Sequence, residues 1–333
     1  MSAPIRRIAV SKVSGLTVVP EPSPFEARIT DFLDEKRAGG ASRKTIELYA
    51  YTLREVLLPF CQKAGVTEPA GLTARHLNAF SLGLIDGTGS RSGRPLSKPS
   101  VDSYARTVNT FLMWLAKQGE GEAPVARVQR QRIPRRVVEV LSREDIRNLE
   151  DAAPNERDKL IIRVLADTGI RLGELLGLRV EDIRQEPGRK WYLKVLGKGD
   201  KERLVPIQPS LAARLDRYAK RTRKDSLSDR LFLGNRRQWR TGDYEPLTET
   251  GTQQMIRRLG LEVLGRRVHP HLFRHSFVTE QLRRGMTPTL VARIVGHSSL
   301  AMVDQVYQHL TPTDAHEALI RSLTSEGGHR ASG

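Results

Sequence analysis

A basic, proline-containing segment divides the chain of 333 residues, and this division limits what the chain can fold into. Residues 119–140 interrupt the helical patterns on either side of them, and their arginine run contains no acidic residue. A chain of this length is long for one hydrophobic core, so two domains are expected. The sequence predicts a loose lead-in at residues 1–22, a first domain at 23–118, a linker at 119–140, a second domain at 141–324 and a tail at 325–333.

The first domain is predicted to be entirely helical. Apolar residues recur at intervals of three and four, as on one face of a helix, over residues 25–37, 43–64, 73–84 and 100–118. Gly39 and Gly40 end the first of these stretches, and Ser42 is suited to cap the second. We therefore expect a small four-helix domain.

The second domain is predicted to combine helices with a small β-hairpin. Ser142 and Asp145 form an S-x-x-D pattern, which is typical of a helix start. Residues 191–196 alternate in polarity, GKGD follows as a turn, and residues 202–207 return as the second strand. The expected fold class is thus mainly α, with an all-helical first domain and an α+β second domain.

The charge of the chain favours an anionic partner. The formal net charge is +17, and nucleic acid fits better than a membrane because no basic amphipathic anchor with aromatic residues is present. A basic protein without such a partner stays open on composition alone. The candidate phosphate-backbone contacts are Arg127, Arg130, Arg132, Arg135 and Arg136 in the linker and Arg257 and Arg258 beyond it. A solvated tether is the alternative interpretation of the linker arginines.

Other bulk features limit the cellular context. No apolar run approaches the roughly 18 residues of a membrane span, and the first residues lack the apolar core of a secretory signal. Cys61 is the single cysteine, which excludes an internal disulfide and a CxxC metal site. A reducing cytoplasm is the expected location.

A candidate anion site lies between residues 269 and 309. On a helix that begins near residue 270, His271, Arg274 and His275 fall at i, i+3 and i+4 and share one face. This spacing suits an anion, but two histidines four residues apart also suit zinc. The zinc motif HEXXH requires glutamate where Leu272 stands, so the anion site is favoured.

Three further side chains have both a structural and a functional interpretation. Arg171 lies in an apolar run and needs a partner, which Glu174 at i+3 supplies. The pair is either a structural ion pair or an arginine held rigid to bind phosphate oxygens. Lys198 at the hairpin tip is either solvated or able to reach into a site. Taken alone, His297 and Tyr307 are more often packing residues.

Together these residues resemble the tyrosine recombinase (phage integrase) family. The matching motifs occur in the family's order over residues 141–310: TGIRLGEL around Arg171, GKGDKERLVPI around Lys198, HPHLFRHSFVT around His271 and Arg274, VGHSS around His297, and VYQH around Tyr307. Residues 25–118 resemble the family's helical, SAM-like core-binding domain less specifically. The resemblance implies a site-specific recombinase, typically of a mobile element, that cleaves and rejoins DNA through a 3′-phosphotyrosine without metal, ATP or another cofactor.

The resemblance also implies roles and partners. Tyr307 would be the nucleophile, Lys198 the general acid and His271 the general base. Arg171, Arg274 and His297 would stabilise the transition state, with Glu174 and His275 in support. The expected partners are double-stranded recombination sites and further copies of the chain, two on each site and four in a synapse. A type IB topoisomerase and a catalytically silent DNA-binding accessory protein are the alternatives.

Overall fold

The computed structural model describes residues 23–90, 93–119, 126–132, 139–197, 201–223 and 225–296. Contacts divide the chain into two compact units, Met1–Arg135 and Arg136–Gly333. The predicted lead-in and tail lie outside the described residues, as do five of the candidate site residues: Arg135, Arg136, Lys198, His297 and Tyr307.

The first unit is helical over its described residues, as predicted. Its helices are α1 (Pro24–Ala38), α2 (Arg43–Ala50), α3 (Leu58–Lys63), α4 (Ala74–Asp86) and α5 (Lys98–Gln118). The hydroxyls of Ser42 and Thr73 accept hydrogen bonds from the first turns of α2 and α4, which explains where these helices begin. The stretch predicted as one helix over residues 43–64 contains a π-helical segment, Tyr51–Leu57, between α2 and α3.

Aromatic side chains form much of the core of the first unit. Phe32 of α1 meets Phe111 and Trp114 of α5 edge to face, with ring centroids 5.4 and 5.5 Å apart. The indole Nε1 of Trp114 donates to Glu35 Oε2 at 2.6 Å, so the buried ring keeps its hydrogen bond. Burial raises the pKa of the Cys61 thiol to about 12, and the thiol therefore stays protonated at neutral pH.

Residues 126–132 of the predicted linker pack against the helices of the first unit. Val128 is buried in the helical core, and its backbone exchanges two hydrogen bonds with the Asn109 side chain, at 2.8 and 3.0 Å. The Arg130 guanidinium binds both carboxylate oxygens of the buried Asp102, at 2.9 and 3.3 Å. Residues 126–132 are therefore anchored, and Arg130 is held by a carboxylate rather than fully solvated.

The second unit combines helices with two small antiparallel sheets. Its helices are α6 (Arg143–Asp151), α7 (Glu156–Thr168), α8 (Leu172–Gly177), α9 (Pro209–Arg217), α10 (Glu249–Leu264), α11 (Pro270–Arg283) and α12 (Pro288–Val295). Its strands are β1 (Ile183–Glu186), β2 (Lys190–Leu196), β3 (Glu202–Ile207), β4 (Leu233–Arg237) and β5 (Tyr244–Pro246). The predicted mainly α fold class with a small sheet is confirmed.

The predicted hairpin is present as β2 and β3, with Leu196 opposite Glu202 at its open end. Strand β1 adds a third strand, in which Ile183 pairs with Leu193, and the order is β1-β2-β3. The β4–β5 pair was not predicted from the sequence. Both additions are short strands of mixed polarity, which hydrophobic periodicity detects poorly.

Helix α7 is central to the core of the second unit. Its residues Leu160, Ile161 and Leu165 are completely buried, and α11 packs against it. Helix α7 ends at Gly169, whose positive φ of 61° leads the chain directly into the turn before α8. The Arg274 side chain of α11 donates to the carbonyl oxygen of Gly169, so this turn lies beside the first half of α11. Every helix that the structure describes is too short or too polar to span a bilayer.

Candidate active site

Arg171 is fixed at the start of α8 by the carboxylate of Glu174. The backbone N–H of Arg171 donates to Glu174 Oε2 at 2.8 Å, and its guanidinium Nη1 donates to Oε1 at 2.9 Å. Nη2 donates to the carbonyl oxygen of Gly296 at 3.2 Å. The ion pair expected from the i, i+3 spacing is present. Three hydrogen bonds define the orientation of Arg171, while 40% of its side chain remains exposed.

A second arginine binds the same carboxylate, and the sequence analysis missed it. Arg203 on β3 donates to both oxygens of Glu174, at 3.1 and 2.7 Å. It also donates to the carbonyl oxygens of Ile294 and Val295 at the end of α12, at 2.9 and 3.3 Å. The alternation of strand β3 could have indicated that Arg203 points inward. Arg203 lies two residues before the buried Val205, so both side chains are on the same, inward face.

Arg274 is buried on α11 beside these groups. Its Nη1 donates to the carbonyl oxygen of Gly169 at 2.8 Å, and only 5% of the residue is exposed. Burial lowers the pKa of Arg274 to about 10, and the nearby charge of Arg171 acts in the same direction. The guanidinium nevertheless remains protonated at pH 7, so the structure holds a desolvated cation at this position.

The histidines of α11 have different environments. His271 is exposed, whereas His275 is half-buried, and burial together with the nearby His271 lowers the pKa of His275. At neutral pH His275 is therefore uncharged. His269 caps the helix, because its Nδ1 accepts the N–H of Leu272 at 3.2 Å. The predicted shared face is present, but its members differ in burial.

A cavity of about 370 Å³ joins several of the predicted residues. Arg171, Glu174, His271 and Arg274 line it, whereas His275 is not among its lining residues. Gly197, the residue before Lys198, also lines the cavity.

Two lining residues from α10 were not predicted, Glu249 and Gln253. They lie in a polar helix whose sequence contains no motif that would have singled them out. No cluster of three metal-ligand side chains is found among the residues that the structure describes.

The electrostatics of the cavity favour an anion. Burial alone would raise the pKa of Glu174, but hydrogen bonds from Arg203 and from the Arg171 backbone outweigh it, and the pKa lies below its ordinary value. Glu174 is thus ionised at neutral pH. Three arginines surround this one carboxylate, and they remain in excess when Glu249 on the rim is counted as well. A phosphate group matches such an excess of fixed guanidinium groups.

The arginines predicted to contact a phosphate backbone lie outside this cavity. Arg257 and Arg258 are exposed on α10, and Arg258 Nε lies 3.9 Å from Glu262 Oε1. Arg132 is exposed, Arg127 is half-buried, and Arg130 is bound to Asp102 as described above. Their contact with DNA stays a prediction.

Comparison with known proteins identifies the class. Residues 139–314 match the phage integrase family, and the chain belongs to this family. It is a tyrosine recombinase, an enzyme of site-specific DNA recombination. Tyrosine recombinase XerA of Pyrococcus horikoshii is 30% identical over 288 residues, which cover 86% of this chain and 90% of that protein. Tyrosine recombinase XerD of Staphylococcus haemolyticus is 28% identical over 289 residues, 84% of this chain and 92% of that protein.

Solved structures show the same fold. The XerH site-specific recombinase bound to a palindromic difH substrate has a TM-score of 0.65 at 21% identity, covering 88% of this chain and 83% of that chain. A lambda integrase dimer bound to a COC′ core site has a TM-score of 0.60 at 16% identity, covering 84% and 76%. The predicted family is confirmed, and the relatives favour a recombinase over the topoisomerase and accessory-protein alternatives.

Proposed function

We propose that this recombinase cleaves one DNA strand by attack of the Tyr307 hydroxyl on a phosphodiester held by Arg171 and Arg274. The convergence of these two guanidinium groups on one cavity is the observation that carries the proposal. Both groups are held by hydrogen bonds to buried or backbone acceptors, so neither must reorganise when the phosphate binds. Such preorganised donors lower the barrier of a step in which negative charge accumulates.

The chemical step is a transesterification that balances without a metal or ATP. The Tyr307 oxygen forms a bond to phosphorus, the bond from phosphorus to the 5′-oxygen breaks, and a 3′-phosphotyrosine results. We assign His271, exposed at the cavity, to remove the phenol proton, and Lys198 to protonate the leaving 5′-oxygen. Rejoining is the same reaction in reverse, with a 5′-hydroxyl as nucleophile.

Chain connectivity supports the roles of two residues outside the described ranges. Lys198 directly follows Gly197, which lines the cavity, and His297 directly follows Gly296, whose carbonyl oxygen binds Arg171. We assign His297 to the non-bridging phosphate oxygens together with the arginines. Glu174 orients Arg171, and the neutral His275 supports His271 from outside the cavity.

The proposed substrate is double-stranded DNA with a recombination site, bound by several copies of the chain. The net charge of +17 supports a polyanionic partner. The XerH structure contains its difH substrate, and the lambda integrase structure is a dimer on a core site. By analogy we propose two protomers on each site and four in the synapse, with the linker arginines, Arg257 and Arg258 on the phosphate backbone. The cytoplasm, where such DNA is accessible, is the proposed location.

A nicked substrate that traps the covalent intermediate tests the proposal. Tyr307→Phe should bind this DNA with the affinity of the unmodified protein but form no covalent adduct, as seen by denaturing gel electrophoresis. An adduct at the unmodified protein's yield would contradict the assignment of the nucleophile. The absence of any adduct with the unmodified protein on its own recombination site would contradict the proposed reaction.

A further inference from the structure

The carboxylate of Glu174 accepts hydrogen bonds from two arginines. Arg203 binds both of its oxygens, and Arg171 contributes one guanidinium N–H and one backbone N–H. The Glu174 side chain is only 6% exposed, so an ionised carboxylate at this position needs a bound cation to compensate it.

The two arginines differ in what they face. The Arg203 side chain is 15% exposed and is not among the residues that line the cavity, whereas the Arg171 side chain is 40% exposed and does line it. The two Nη groups of Arg203 each donate to one carboxylate oxygen of Glu174, and this bidentate geometry is the strongest for such a pair. Arg203 therefore neutralises the buried carboxylate, and the positive charge of Arg171 remains available at the cavity.

Arg203 also binds the end of α12. The last carbonyl groups of a helix lack partners within the helix, and Arg203 satisfies those of Ile294 and Val295. At Gly296 the chain turns with φ of 69° and passes so close to Arg203 that an added Cβ would lie 2.8 Å from its Cζ. The carbonyl oxygen of Gly296 in turn binds Arg171. One guanidinium group thus holds both Glu174 and the two residues that precede Gly296.

We propose that Arg203 is a positioning residue of the recombinase: it balances the charge of Glu174 so that Arg171 can bind the scissile phosphate, and it fixes the backbone that leads into His297. The inference rests on the proposed function of Arg171 and His297. Without Arg203, the uncompensated carboxylate attracts the Arg171 guanidinium away from the phosphate, and the turn at Gly296 loses its support.

A charge-rescue experiment tests this role. Single-turnover formation of the covalent adduct is measured for Arg203→Ala and for the double variant Arg203→Ala/Glu174→Gln, with enzyme in excess over the nicked DNA. We expect Arg203→Ala to slow cleavage about 100-fold, the typical effect of disturbing one preorganised donor, with little change in DNA affinity. The double variant should cleave about tenfold faster than Arg203→Ala, because the neutral amide no longer competes with the phosphate for Arg171. A double variant as slow as Arg203→Ala would overturn the charge-balancing role.

Controls separate this role from a loss of folding. Arg184→Ala removes an exposed arginine from β1 of the same sheet and should leave the cleavage rate unchanged. Thermal melts establish that each variant is folded at the assay temperature. If Arg203→Ala is unfolded, Arg203→Gln removes the charge but keeps an N–H donor for the helix end; it should slow cleavage, and an unchanged rate would overturn the proposal. An inactive unmodified protein would contradict the proposed function, whereas unaffected Arg203 variants would contradict only this inference.

Discussion

Two buried glutamates of the second unit are each held by two arginines, yet only one lies at the candidate active site. Arg171 and Arg203 bind Glu174, and Arg163 and Arg214 bind Glu150. The side chains of Glu174 and Glu150 are 6% and 8% exposed. Neither burial nor the number of partners distinguishes the two networks, so an ion pair of this kind is not by itself evidence of a site.

The charges that surround the two networks do distinguish them. Beside Glu174 lies a third arginine, Arg274, and cations are in excess. Beside Glu150 lie two further carboxylates: Glu156, 2.9 Å from one of the arginines, and Asp167, 3.7 Å from the other. Anions are in excess there, and the network is suited to stabilise the fold rather than to bind a phosphate.

Burial shifts the pKa of one charged group in each network. Burial lowers the pKa of Arg274 to about 10, and the charge of Arg171 adds to this decrease. Burial raises the pKa of Asp167, and the charge of Glu150 adds to this increase although Arg163 opposes it. The strongest neighbouring charge therefore adds to the effect of burial at Arg274, whereas at Asp167 the strongest neighbouring charge, that of Arg163, opposes it. A ligand that relieves the surplus at Arg274 must be an anion.

Cavity size would select the wrong region. The larger cavity, of about 930 Å³, is lined by Arg163 and Asp167 and also by Arg143, Arg147, Arg283, Arg284 and Glu280, so most of its charged side chains are arginines as well. The smaller one, of about 370 Å³, is lined by Arg171 and Arg274. Neither the size of a cavity nor the number of arginines that line it therefore selects the site. The smaller cavity is the candidate because Arg171, His271 and Arg274 of the family's motifs meet there, with Arg171 held by Glu174.

The strongest test of this contrast exchanges one arginine of each network for alanine. Arg171→Ala should slow cleavage of the nicked substrate by about 10²–10³-fold, because a preorganised donor to the phosphate is lost. Its effect on stability should be small, because Arg203 still compensates Glu174. Single-turnover adduct formation and urea denaturation measure the two quantities.

The matched variant Arg214→Ala should show the opposite pattern. It removes a partner from Glu150 and Glu156, so the unit should lose about 3 kcal/mol of stability while the folded protein cleaves at an unchanged rate. If Arg214→Ala slows cleavage of the folded protein as much as Arg171→Ala does, the distinction between the two networks is wrong.

A second test uses two glycines in the same backbone conformation. Gly296 and Gly265 have φ values of 69° and 63°, but an added Cβ meets Arg203 at the first and nothing within 4 Å at the second. Both alanine variants should lose about 1 kcal/mol from backbone strain. Gly296→Ala should also slow cleavage about tenfold, because Arg203 must move from its carbonyl partners. Equal cleavage rates for the two variants would show that the contact with Arg203 has no role in the reaction.

Much of the helical framework follows from the sequence because its signals are local. Apolar spacing and capping residues such as Ser42 and Ser142 define helices within a few residues of their observed starts. The π-helical segment Tyr51–Leu57 has no such signal, because it differs from an α-helix only in its hydrogen-bond pattern. Strands β1 and β4 depend on partners that local periodicity does not identify.

The candidate site was predicted less completely, for a related reason. Arg171 and Glu174 are neighbours on one turn, so their pairing is visible in the sequence. Arg203 and Glu174 are 29 positions apart, and Arg203 lies in a charged run, KER, that looks solvated when read as a sequence. The contact between Arg130 and Asp102, which are 28 positions apart, was not predicted for the same reason. Such contacts exist only once the chain is folded.

The smallest expected effect concerns the two carboxylates whose pKa values move in opposite directions. The pKa of Glu174 lies below its ordinary value of 4.5, so its ionisation adds stability above that pH, and this stability is lost as the pH falls through the folded-state pKa. The pKa of Asp167 lies above its ordinary value of 3.8, so its contribution is present below that pH and is lost as the pH rises through the folded-state pKa.

At pH 7 the neutral substitutions should therefore shift thermal stability in opposite directions. Glu174→Gln should lower the melting temperature by about 4 °C, and Asp167→Asn should raise it by about 1 °C, a small gain because 37% of the Asp167 side chain is exposed and screened by water. Both differences should shrink as melts are recorded down to about pH 4, where the carboxyl groups begin to protonate. Shifts of the same sign at pH 7 would contradict the opposite directions of the two pKa values, and with them the conclusion that the arginines outweigh the burial of Glu174 but not that of Asp167.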